Sequence, residues 1–151
     1  AAGHSATAAL SARALEDSNA VPAAPSALRL VVATPSGERH AVGAAISAAA
    51  ASIDGWSIVY LGPDIPHADI ATAAAATNAR AVALSIVYAG DRAKIVSEVR
   101  GLRAKLSNTI PLLIGGAGVA GLVREVRGRG MIVCESVGDL RAELAREARA
   151  Q

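Results

Sequence analysis

The chain has 151 residues, 52% of them hydrophobic and 19% charged, and a formal net charge of +2 at pH 7. That length and apolar content fit one domain with a real core and exclude a largely disordered chain. One cysteine rules out an intrachain disulfide framework, one Trp, two Tyr and no Phe leave little surface for stacking bases, and no apolar run is long enough to span a bilayer.

Residues 1–27 differ from the rest. Residues 5–17 suit a short alanine-rich helix, and 18–26, with two prolines and no periodicity, read as a linker. A boundary is therefore expected near Ala27, with the folded domain over 28–151. From there strands and helices alternate. Strands are expected at 28–33, 56–61, 81–86, 112–114 and 131–134. Helices are expected at 40–53, 68–77, 91–106, 120–129 and 137–150, with Asp91 as an N-cap. The strands are near-continuous apolar runs without alternation, which marks a parallel sheet covered on both faces. Right-handed crossovers then favour an α/β doubly wound sheet of order 2-1-3-4-5.

Several arginines cluster late, at Arg124, Arg127, Arg129, Arg141, Arg146 and Arg149, beside Glu125, Glu143 and Glu147. This reads as a solvated, ion-paired face and not as a nucleic-acid surface. Cys134 ends a buried strand and reads as a small core residue. No secretory signal is apparent, so a cytoplasmic protein is expected.

Three short motifs follow predicted strands: Glu38-Arg39-His40-Ala41-Val42-Gly43, Ser85-Ile86-Val87 and Gly115-Gly116. Forty-one residues separate Gly43 from Ser85, and 27 separate Val87 from Gly115. In a 2-1-3-4-5 sheet all three reach the carboxyl edge near the switch point, where such folds bind ligands. A neutral imidazole suits a transition metal, and metal-ligating histidines commonly donate their second N–H to a carboxylate, which Glu38 could supply. Taken singly, His40 is equally a helix-start histidine with a glutamate nearby. Gly43 in a first helical turn allows something to approach the backbone. Ser85 is a polar residue in an apolar strand. Gly115 and Gly116 remove two side chains from the crevice or make a tight turn.

Together the motifs resemble the D-x-H-x-x-G, S-x-L and G-G elements of the cobalamin-binding domain family, with matching gaps, over about residues 28–147. The resemblance implies a flavodoxin-like fold and cobalamin held with its own base displaced. His40 would be the lower axial ligand of cobalt, and the nucleotide tail would pass Gly43, Ser85, Val87, Gly115 and Gly116. Arg39, Tyr88 and Ala117 would line the same route, and Glu38 would be the carboxylate behind His40. Glu38 stands where the family has aspartate, so the geometry of that bond must change; Val87 stands where it has leucine. The resemblance leaves the adenosyl, methyl or hydroxo form open.

Residues 33–40 and 60–66 look most like cobalamin domains of MerR-type light- or cofactor-sensing transcriptional regulators. A sensory module that is not itself an enzyme is therefore expected, with a corrinoid methyl-carrier subunit as the alternative. A protein partner or a helical domain outside this chain would cover the upper corrin face, and an oligomer is compatible with that. His4 is a conceivable upper ligand, and His67 is expected at a helix start. A competing pattern, Gly116-x-Gly118-x-x-Gly121 with Glu135 after the next strand, matches a dinucleotide fingerprint, though on the fourth strand and with too little chain after the acid.

Overall fold

The computed structural model describes residues 28–88, 90–128 and 130–150. The helix and linker expected within 1–27, and His4, lie outside them. The elements are β1 (Arg29–Pro35), α1 (Val42–Ile53), β2 (Ser57–Ile65), α2 (His67–Ala76), β3 (Ala81–Ser85), α3 (Arg92–Lys105), β4 (Leu112–Gly115), α4 (Val123–Val126), β5 (Met131–Cys134) and α5 (Val137–Arg149). All strand pairs are parallel, in the order β2-β1-β3-β4-β5. This is the order expected from the sequence.

Successive residues of β1 feed opposite layers. Leu30 and Val32 pack with Ala44, Ala45, Ala48 and Ala51 of α1 and with Leu140 and Leu144 of α5. Val31 and Ala33 pack with Ile70 of α2, Ile95, Val99 and Leu102 of α3, and Val126 of α4. Two such layers explain why the strands carry no polar alternation. The α1 side is built from alanines, and this thin wall leaves room beside the sheet.

Three boundaries depart from expectation, each for a local reason. α1 begins at Val42 and not at residue 40, because the Glu38 side chain captures the His40 amide and holds that residue in the loop. β2 continues past residue 61 to Ile65 although it contains Pro63. An edge strand tolerates a proline, since one side of its ladder is unpaired. The helix expected at 120–129 is instead a 3-10 turn (Ala117–Leu122) followed by the four-residue α4. Glycines at 116, 118, 121 and 128 disfavour a helix there. The Gly118 amide is also committed to the Ile86 carbonyl at 2.9 Å.

The predicted cap at Asp91 forms, and Ser136 caps α5 in the same way. The side chain of Asp91 accepts from the Lys94 amide and that of Ser136 from the Asp139 amide. The basic face is ion-paired through Arg146–Glu143 as expected and, unforeseen, through Arg92–Glu125, Arg80–Glu147 and Arg141–Asp54. Among the described residues, no helix is long and apolar enough to cross a membrane.

Candidate functional site

The loop after β1 turns on a Glu38 N–H to Pro35 carbonyl bond of 2.9 Å. This tucks the Glu38 side chain under the sheet edge, where it is 0% exposed, while His40, two residues on, is 62% exposed. A buried carboxylate must have its acceptor capacity filled. Oε1 accepts from the His40 amide (2.8 Å) and contacts His40 Nδ1 (2.7 Å). Oε2 accepts from the amides of Val87 (2.9 Å) and Tyr88 (2.6 Å), at the mouth of the loop after β3. Burial alone would raise the Glu38 pKa. The amides of Tyr88 and His40, the His40 ring and the Val87 amide outweigh it and hold the carboxyl below its ordinary value.

A carboxylate on Nδ1 fixes the tautomer that leaves Nε2 as a free lone pair. The longer glutamate side chain thus keeps the contact to the imidazole and also reaches the neighbouring loop. Tyr88, 67% exposed, stands beside the histidine with ring centroids 6.3 Å apart, edge to face.

A cavity of about 700 Å³ opens between α1, α5 and the carboxyl ends of β1, β3, β4 and β5. Gly43, Ala44 and Ser47 form its α1 wall, and Leu113, Cys134 and Leu140 lie across from them. Protein interiors are normally close-packed, so a void of this size beside a core is a place for a ligand. Its polar side chains include Ser47, Ser85, Glu135 and Ser136. Cys134 is buried, and burial, then Glu143 and Asp139, push its thiol up to about 11, so it behaves as the core residue expected.

Of the sequence-derived residues, Gly43, Ser85, Gly115, Gly116 and Ala117 line the cavity. Glu38, His40, Val87 and Tyr88 do not line it; they meet one another in the loops after β1 and β3, with Val87 beside Gly43 of the cavity wall. Arg39 is exposed on the same loop. A Cβ on Gly43 would stand 2.9 Å from Ser85 Oγ, so the absent side chain brings these two motifs together. Gly116 needs a different explanation from the one expected. Its φ is +109°, and a Cβ there would overlap the Ile86 carbonyl oxygen, so it is a glycine because two backbones touch. His67 does start α2, and its Nδ1 is bound to Glu98 of α3.

Sequence reasoning missed Ser47 and Leu140, on helix faces unmarked by any motif, and Ser136, the residue that caps α5. The dinucleotide alternative loses its structural context. Gly116–Gly121 opens a 3-10 turn, and no α-helix N-terminus stands there to receive a pyrophosphate.

The profile of the B12 binding domain family matches residues 28–145. The chain belongs to that family, and cobalamin, a cobalt corrinoid, is its cofactor. The fold is similar to a cobalamin-binding protein from Desulfitobacterium hafniense DCB-2, with a TM-score of 0.69 and 26% identity over 81% of this chain and 60% of that one. It is also similar to the monomethylamine corrinoid protein of Methanosarcina barkeri, with a TM-score of 0.61 and 20% identity over 80% of this chain and 57% of that one. This chain therefore spans less than two thirds of either. No curated protein sequence matches it significantly.

The donor set fits the cofactor. Among the described residues no group of three or more His, Cys, Asp or Glu side chains could hold a bare metal ion. A metal that arrives inside a macrocycle needs only one protein donor, and one exposed imidazole backed by a carboxylate stands beside a cavity.

Proposed function

We propose that this chain is a cobalamin-binding sensory module that takes the cofactor with its own base displaced. His40 Nε2 is the lower axial cobalt ligand, and the nucleotide tail enters the cavity past Gly43, Ser85, Val87, Gly115, Gly116 and Ala117, with Arg39 and Tyr88 at the entrance. The observation that carries this reading is the Glu38–His40 contact of 2.7 Å beside a cavity of about 700 Å³. Glu38 orients the ring and selects the tautomer whose lone pair is on Nε2. The small residues of α1 admit the tail, and the serine hydroxyls serve its polar groups. Bound cobalamin would supply a light- and redox-sensitive bond to cobalt.

The sensory role rests on the resemblance of residues 33–40 and 60–66 to regulator domains. It is further supported by the path from His40 through Glu38 to the Val87–Tyr88 amides, which ties the axial ligand to an exposed loop. In this reading the chain works in the cytoplasm as a non-catalytic unit. Its upper face, rimmed by the exposed side chains of Val42, Val87, Tyr88 and Val137, is covered by a partner or another domain.

Hydroxocobalamin added to the protein is expected to give the spectrum of histidine-ligated cobalt, and His40→Ala is expected to lose it. An unchanged spectrum and affinity in His40→Ala would overturn the ligand role. Methyl transfer from the methylcobalamin-loaded chain to a thiol acceptor would favour the methyl-carrier alternative.

A further inference from the structure

Two residues outside the three spaced motifs hold the loop that carries His40. The pairing of β2 with β1 slips twice, between Val32 and Ala33 and between Ala33 and Pro35. These irregularities bend the end of β2 over the β1–α1 loop. They set Asp64 there at φ +59°, a conformation that a side chain seldom adopts.

From that position the Asp64 amide donates to the Glu38 carbonyl (3.0 Å) and to Thr34 Oγ1 (2.8 Å), and Asp64 Oδ1 accepts from the Gly37 amide (2.8 Å). The hydroxyl of Thr34, itself fully buried, donates to the same Glu38 carbonyl. With the Pro35 turn and the four side-chain contacts, every polar atom of Glu38 is engaged. The carboxylate that aims His40 is thus fixed from β1, from β2 and from the loop after β3. Asp64 reaches the histidine only through Glu38.

We infer that Thr34 and Asp64 are positioning residues for the axial ligand. They set the angle at which His40 presents Nε2, and so the balance between histidine-ligated and unligated bound cobalamin, without touching the tail. This rests on His40 being the ligand.

The test loads the full chain and its variants with hydroxocobalamin and reads the histidine-ligated fraction from the visible spectrum. After reduction, nitrogen splitting in the cobalt(II) electron paramagnetic resonance signal gives a second reading. Thr34→Val and Asp64→Ala are expected to shift the ligation equilibrium about tenfold toward the unligated form, as the loss of outer partners does at metal sites. Thr34→Ser and Asp64→Asn, which keep the hydroxyl and the side-chain acceptor, are expected to restore it. In a His40→Ala background the same two substitutions are expected to leave cobalamin affinity unchanged.

Equal weakening with and without His40 would mean that they merely support the fold, and would overturn the inference. So would a wild-type ligated fraction in both Thr34→Val and Asp64→Ala. If His40→Ala alone leaves the spectrum intact, the ligand assignment itself has failed, and that outcome is seen before any positioning variant is made.

Discussion

A buried carboxylate with both oxygens doubly engaged is hard to protonate, and Glu38 makes this a measurable property of the apoprotein. Its folded pKa lies below the ordinary 4.5. Its stabilising effect is therefore complete above that value and fades as pH falls through the lower folded value. Glu38→Gln is expected to be less stable at neutral pH by about 2 kcal/mol, because an amide cannot accept at both of its ends. It should also lose stability less steeply below pH 4.5 than the wild type, as read from urea midpoints across that range. The acid limb of Glu38→Gln matching that of the wild type would contradict the pKa direction. His40, Ser85 and the glycines were legible in the sequence because fixed gaps in a parallel sheet bring loop residues together. The double reach of Glu38, and the roles of Thr34 and Asp64, were not. They depend on where two loops run and on register slips that composition does not encode.

At the level of elements, the segment after β4 separates a glycine that the fold needs from one that it does not. Gly116 meets the Ile86 backbone at φ +109°, whereas a Cβ on Gly121 would meet nothing within 4 Å. Gly116→Ala is expected to cost about 2–4 kcal/mol from strain and overlap. Gly121→Ala should be close to neutral, and denaturation midpoints of the two apoproteins make the comparison. Equal midpoints would remove the close-approach argument. The glycines looked like a helix-opening fingerprint because motif spacing is blind to backbone hydrogen bonding. The bond from Gly118 to Ile86 turns the same residues into a 3-10 turn. Elsewhere among the described residues every expected element is present, with the start of α1 and the end of β2 displaced. Alanine-rich and capped segments became helices, and the apolar runs became strands.

At the level of the molecule, the unbroken hydrophobicity of the strands and crossover handedness narrowed the sheet to a few orders, and 2-1-3-4-5 is a common doubly wound one among them. The cavity was not legible in this way, since it reflects how far α1 and α5 stand apart, and no single residue records that. The domain boundary proposed near Ala27 has a direct check. A chain shortened to 28–151 is expected to keep the thermal midpoint and the cobalamin affinity of the full chain. A clear loss of either would place part of the folded unit upstream.

The bracing of Glu38 has a kinetic consequence. A socket wired in advance has no reshaping left to do when its guest arrives. With His40 taking the place of the guest's own base, as proposed, the tempo of loading then belongs to the guest, through the release of that base. Raising the protein concentration should drive the uptake rate to a plateau. Corrinoids whose base is already detached should be taken up faster, with no such ceiling.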